Sequence, residues 1–247
     1  MPDGQWLVTY TTGKKTDLYV VRTDGTGLRQ LTDDAYKNTA PRWSPDGQTI
    51  AFYSNRSGSY QVWTISPDGS SLRQVTFGPT TDMFYYPSWS PDGARMLYNS
   101  LNANPFIIDA RTPWKEQTPQ ALPPLPEKKM TFVAWSWSSV GSRLAGWRLR
   151  ADGAHAGVAV YDLTSKHYQT LSDTGYSPVW LKDDRRLLFA LDGKLFVIDS
   201  QTKAIQSQPR LAGFADGFAL SVDNRWLYFQ QDHREGDVWM IDLEGRK

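Results

Sequence analysis

Trp43-Ser44-Pro45-Asp46-Gly47 recurs as Trp89-Ser90-Pro91-Asp92-Gly93, and the first copy sits inside a longer unit. Pro41-Arg42 leads into it, and Ile50-Ala51-Phe52, Gln61-Val62-Trp63, Asp68-Gly69 and Leu72-Arg73-Gln74-Val75-Thr76 follow. Ser-Pro-Asp-Gly predicts a type I turn: proline presets φ at the second position, the aspartate side chain bonds local backbone, and glycine takes the left-handed conformation that closes a hairpin. The unit therefore reads as strand, tight turn, strand and further short strands.

Working outward, the pentad that closes this unit has a counterpart 44 residues earlier, Leu28-Arg29-Gln30-Leu31-Thr32. Later copies of the turn degenerate to Trp137-Ser138-Ser139-Val140-Gly141, to Trp180 followed by Lys182-Asp183-Asp184, and to Leu220-Ser221-Val222-Asp223-Asn224. A period of 40 to 48 residues with about four short strands per unit predicts a β-propeller. Leu195-Phe196-Val197-Ile198-Asp199 and Val238-Trp239-Met240-Ile241-Asp242 have the short β-branched and aromatic character of strands, and no stretch has helical period. The expectation is an all-β, six-bladed β-propeller with about four antiparallel strands per blade. It is expected to be a single domain over residues 1–247, with blades starting near residues 1, 39, 85, 133, 176 and 216. The Pro2-Asp3-Gly4 turn has no Trp-Ser strand before it, and the last unit stops at Lys247 where an outermost strand would begin. The terminal blades are therefore expected to be incomplete, as an excised part of a longer protein or as three-stranded blades.

The 247 residues carry a formal net charge of +1 with Lys and Arg spread along the chain, so no basic footprint for nucleic acid is visible. There are no cysteines, which removes disulfides and thiolate metal sites. No run approaches the roughly 18 apolar residues of a membrane span, and Met1-Pro2-Asp3-Gly4 starts on a turn where an export leader would show basic then apolar residues. Aromatic residues make up 13% of the chain, 11 of them Trp, which suits many half-buried strands.

Pro-x-Trp-Ser-Pro-Asp-Gly, Ile-Ala-Phe, Val-Trp, Asp-Gly and Leu-Arg-Gln-Leu/Val-Thr together resemble the WD40-like (PD40) repeats of the TolB-type six-bladed propeller. The resemblance covers essentially the whole chain, closely in the first three units and loosely in the last three. The separate N-terminal α/β domain of a full periplasmic TolB has no counterpart in the sequence. The resemblance implies a non-catalytic protein- or ligand-binding module, a sensor or interaction domain of a larger bacterial protein in a periplasmic or extracytoplasmic setting. Its alternatives are a hydrolase or lyase acting in the central channel, or the gating domain of a prolyl-oligopeptidase-type enzyme.

In such a ring the loops entering the innermost strands, with the hairpins between second and third strands, form one face. Counting back four residues from each Trp equivalent places Thr39, Tyr85, Val133, Tyr176 and Asp216 at the channel mouth. The expected ligand or partner contacts are Arg42, Asp82, Met83, Phe84, Tyr85, Tyr86, Tyr176 and Asp216, because Tyr offers apolar area plus a hydroxyl at low entropy cost. Trp43, Trp89, Trp137 and Trp180 are expected to be scaffold, and Pro119, Pro123, Pro124 and Pro126 a rigid connection. No catalytic residue, cofactor or metal is expected. His155, His167 and His233 are dispersed, no Gly-x-Ser-x-Gly or His-Glu-x-x-His motif occurs, and Asp232-His233-Arg234-Glu235 reads as a solvated hairpin tip. Asn55-Arg56-Ser57 fits a glycosylation sequon. The expected partners are a protein, a peptide or a small channel ligand, with no nucleic acid and no membrane insertion.

Overall fold

A computed structural model describes residues 3–13, 15–113, 116–209, 211, 214–221, 223–231 and 237–242. Within them the alternating aromatic and β-branched runs form strands that pair antiparallel with their neighbours in sequence. The first sheet contains β1 (Trp6–Tyr10), β2 (Leu18–Arg22) and β3 (Arg29–Gln30). The second contains β4 (Asn38–Trp43), β5 (Ile50–Ser54), β6 (Gln61–Ile65) and β7 (Arg73–Gln74), and the third β8 (Phe84–Trp89), β9 (Arg95–Ser100), β10 (Phe106–Asp109) and β11 (Gln120–Ala121). The fourth contains β12 (Met130–Trp137), β13 (Arg143–Arg150), β14 (His155–Asp162) and β15 (His167–Thr170). The fifth is β16 (Tyr176–Trp180), β17 (Arg186–Leu191), β18 (Lys194–Asp199) and β19 (Ile205–Ser207), and the last is β20 (Phe214–Leu220), β21 (Trp226–Gln231) and β22 (Asp237–Asp242).

This is an all-β propeller with antiparallel, four-stranded blades. Six complete blades, the number expected from the repeat, are not formed. Four sheets carry four strands, while the first and last carry three among the described residues, because no described segment supplies their outstanding strand. No helix among the described residues is long and apolar enough to cross a membrane.

The chain divides into two compact units, Met1–Pro123 and Pro124–Lys247, each with its own cores. In the first unit, Leu18, Val20, Ile50, Phe52 and Ile65 pack with Trp43 and Trp63, and Ala51, Val62, Phe84, Met96, Tyr98 and Ile108 form a second cluster with Trp89 at its edge. In the second unit, Val158, Val160, Trp180, Leu187 and Phe189 make one cluster and Leu188, Leu195, Phe218, Leu227 and Phe229 another. Trp137 is also buried. The repeated Trp residues are thus packing elements.

The repeated turn builds as its residues dictate. The Gly47 N–H donates to the Ser44 carbonyl at 2.9 Å, and Gly47 has φ +70°. The Ser44 hydroxyl donates to Asp46 at 2.5 Å and accepts the Thr49 N–H at 3.0 Å, while Asp46 also accepts the Gln48 N–H. Ser90 and Asp92 repeat this, as do Ser221 and Asp223. Where Val140 replaces the aspartate, Asp184 of the next unit's turn braces the turn at a different place, accepting from the Ser139 N–H and hydroxyl, both at 2.6 Å. The Lys182 N–H in turn donates to Asn224 of the unit after that.

Candidate functional site

At the opposite end of these hairpins from the repeated turns, β4 and β8 each carry a bulge, between Thr39 and Arg42 and between Tyr85 and Ser88. A bulge holds one residue more than its partner strand and re-aims the side chains around it. Here that residue is Ala40 (φ +49°) or Tyr86 (φ +51°), each followed by proline, and Ser177 (φ +53°) repeats the pattern in β16. The left-handed conformation costs an ordinary residue about 1–2 kcal/mol. Tyr86 is the one aromatic residue in that conformation among the described residues.

The bulge turns Tyr86 into a ring cluster. Tyr53, opposite Thr39 on β5, lies 5.7 Å from Tyr86, 6.4 Å from Tyr85 and 5.3 Å from Tyr60 between ring centroids, and Tyr85 lies 5.0 Å from Tyr86. All four rings are half-buried. Burial pushes the Tyr85 phenol up to about 12 and raises Tyr53 and Tyr86 as well, so these three phenols are neutral at ordinary pH. Arg42 is half-buried on β4. Burial lowers its pKa, opposed by the Tyr10 and Tyr86 phenols, which sets a cation beside the rings. The arrangement offers apolar area, phenolic donors and one guanidinium, the means of polar and aromatic recognition.

The neighbouring loops are braced. Arg56 donates to Asp34 (2.9 Å), Asn38 (2.8 Å) and Ser54 (3.2 Å) and lies over the Trp63 ring at 5.0 Å. Asn55 accepts the Lys37 N–H, so the sequon asparagine serves this loop contact. In the second unit Arg148 plays the same part, bonding Asp173 (3.0 Å), the Ser172 carbonyl (3.1 Å) and Glu127 (3.4 Å).

Of the expected contacts, Arg42, Tyr85 and Tyr86 come together. Phe84 does not join them: it is 8% exposed and packs 5.2 Å from Tyr98, because strand alternation turns it into the core. Asp82 is a loop brace, accepting from the Ser100 hydroxyl at 2.9 Å and from Asn102. Met83 is half-buried, and its carbonyl accepts the Leu101 N–H. Phe77, at the start of that loop, is 52% exposed. Tyr176 lies in the second unit, 4.7 Å from the exposed His155 ring, which stands 6.0 Å from Trp147. Asp216 falls within β20, and its side chain lies outside the described residues, as do Asp232, His233, Arg234 and Glu235. His167 is exposed on β15. Sequence reasoning missed Tyr53, Tyr60, Arg56 and His155. Tyr53 carried a signal, since it stands next to last in β5, at the hairpin end of the strand, and pairs with Thr39. Among the described residues no three His, Cys, Asp or Glu side chains gather as metal ligands.

The sheets and this cluster define a β-propeller with an aromatic surface at the loop end of its first unit. Residues 1–122 match the family model PD40, the TolB beta propeller domain, and the chain has the fold of TolB propellers. Over 90 residues it is 36% identical to an uncharacterized protein of Agrobacterium fabrum, covering 36% of this chain and 30% of that one. It is 26% identical to dipeptidyl-peptidase 5 of Porphyromonas gingivalis over 314 residues, covering 100% of this chain and 46% of the peptidase. It is 37% identical over 67 residues to the Tol-Pal system protein TolB of Syntrophus aciditrophicus, covering 26% and 15%. The matches thus span less than half the length of these curated relatives. Among solved structures, TolB from Acinetobacter baumannii superposes with TM-score 0.72 at 18% identity, covering 97% of this chain and 61% of that one. An oligogalacturonate lyase in complex with manganese superposes with TM-score 0.64 at 14% identity, covering 99% and 72%. These two structures share the fold.

Proposed function

We propose that this chain is a non-catalytic binding module, a sensor or interaction domain of a larger bacterial protein, holding a protein or peptide partner at Arg42, Tyr53, Tyr60, Tyr85 and Tyr86. The observation that carries this reading is Tyr86, whose left-handed backbone directs its ring into the cluster at a cost in strain. Neutral, half-buried tyrosines beside an arginine match the composition of binding hot spots. A small ligand is the other occupant of this reading. Tyr176 and Asp216 are proposed as further contacts in the second unit. The TolB-type repeat is consistent with a periplasmic setting.

A second reading, the gating domain of a prolyl-oligopeptidase-type enzyme, is favoured by the match of dipeptidyl-peptidase 5 over the full chain.

Photo-crosslinking in the cell of origin tests the binding reading. With a benzophenone amino acid in place of Tyr85, a discrete protein adduct is expected, and none with the same group in place of Val140, which is exposed on a repeated turn. The pair Tyr85→Ala and Tyr86→Ala should weaken the captured partner's affinity at least about tenfold. No adduct at position 85, or the same adduct at position 140, overturns the proposal. An adduct to a peptidase domain of the same polypeptide supports the gating reading instead.

A further inference from the structure

A second site lies at the repeated-turn end of the first unit, between the second and third sheets. A cavity of about 140 Å³ opens there, with Val75, Ile108 and the Trp89 ring giving it apolar walls and Thr49, Thr64 and Arg73 giving it donors. No acidic side chain lines it among the described residues. Arg73 is exposed on the outermost strand β7 and makes no side-chain hydrogen bond or ion pair among the described residues. The indole N–H of Trp89 is buried without a hydrogen-bond partner. An adjoining hollow of about 280 Å³ shares Thr49, Trp89 and Ala110 and holds Asp46, Asp92 and Arg111. Those carboxylates are committed to their own turns, each accepting a serine hydroxyl and a backbone N–H.

We infer that this inter-sheet cavity binds a small aliphatic monocarboxylate, its carboxylate on Arg73 and the threonine hydroxyls and its carbon chain against Val75, Ile108 and Trp89. Three considerations select that chemistry. An unpaired guanidinium at the rim of an apolar cavity favours an anion, since a charge-assisted hydrogen bond is roughly twice as strong as a neutral one. A cavity near 150 Å³ accommodates benzene, which limits the ligand to about six non-hydrogen atoms, the size of a four-carbon acid. Asp46 and Asp92 outweigh the single Arg111 of the adjoining hollow and leave it net negative, so a dicarboxylate of the same length, whose second carboxylate would reach it, is disfavoured. This site is separate from the tyrosine cluster and does not depend on it.

The test is a titration of the whole chain with sodium butyrate, followed by the ¹H–¹⁵N signal of the Trp89 indole, assigned by its loss in Trp89→Phe. A saturable shift with Kd of about 1 mM is expected, a plausible affinity for so few atoms. Butyramide and sodium chloride should give no saturable shift, and succinate should bind more weakly than butyrate. Arg73→Gln should raise Kd at least about tenfold. Because Arg73 is exposed, that variant should keep the parent melting temperature. The comparison of butyrate with butyramide needs no variant at all. No saturation at about ten times the expected Kd, an equal response to butyramide, or an unchanged affinity in a folded Arg73→Gln protein each overturns the inference.

Discussion

Ala40 and Tyr86 occupy equivalent places in successive units and share the same left-handed backbone, but only Tyr86 puts a ring to use there. Ala40→Gly relieves about 1–2 kcal/mol of strain and adds back about 0.5–1 kcal/mol of unfolded-chain entropy. It should therefore stabilise the protein by about 0.5 kcal/mol in urea denaturation. Tyr86→Gly relieves the same strain yet removes the contacts with Tyr53 and Tyr85, so a net loss of stability is expected. A gain as large as that of Ala40→Gly would show that the ring contributes nothing to the fold. The turn aspartates give a pH prediction. Asp46 and Asp92 are held below the usual carboxylate value by the Ser44 and Ser90 hydroxyls first, and by turn N–H groups second. A folded-state pKa below the unfolded value contributes stability that is complete above about pH 4 and is lost as pH falls through the folded value. The double variant Asp46→Asn, Asp92→Asn should be less stable than the parent at neutral pH, with the difference closing in acid. A difference that persists in acid would assign the effect to shape and not to charge.

The hairpin elements show which parts of the repeat can be exchanged. Ser-Pro-Asp-Gly announced its own turn, but the loss of aspartate at Val140 gave no hint that Asp184 would brace this turn at Ser139, because Asp184 is 45 positions beyond Ser139 and belongs to another hairpin. Asp184→Ala should cost about 1–2 kcal/mol by leaving the Ser139 groups without their acceptor, whereas Asp184→Asn, which keeps an acceptor oxygen, should recover most of it. Equal losses would point to the negative charge as the operative feature. The bulges were equally hard to read: Pro41, Pro87 and Pro178 mark their positions, but the left-handed residue before each has no sequence requirement as strict as glycine. Gly157 is a position with such a requirement. A Cβ there would stand 2.1 Å from the Ser172 carbonyl oxygen at φ +97°, so Gly157→Ala should destabilise by about 3 kcal/mol or more, seen as a lowered midpoint in denaturation.

At the scale of the molecule, the propeller class was legible because a period near 44 residues and a two-residue alternation are local properties, fixed by turn chemistry and by which strand face is apolar. The tyrosine cluster was legible in part. Tyr85 and Tyr86 fall in the variable loop, but Tyr53 and Tyr60 lie on a hairpin whose place beside that loop is set by packing between sheets. Phe84 was misassigned for the same reason, since nothing local says which end of Phe84-Tyr85-Tyr86 turns inward. The buried clusters are likewise assembled from neighbouring sheets, and each belongs to one compact unit. In repeat architectures stability is approximately a sum of unit and nearest-neighbour terms, so damage should stay close to its origin. Phe52, fully buried in the first unit, and Phe189, 1% exposed in the second, permit a direct comparison. Phe→Ala at such sites costs about 3–5 kcal/mol. Native-state hydrogen exchange read by mass spectrometry should show Phe52→Ala lowering protection mainly in β4 to β6, and Phe189→Ala mainly in β16 to β18. If each substitution lowers protection equally in both units, the two halves unfold as one cooperative body and the additive description fails.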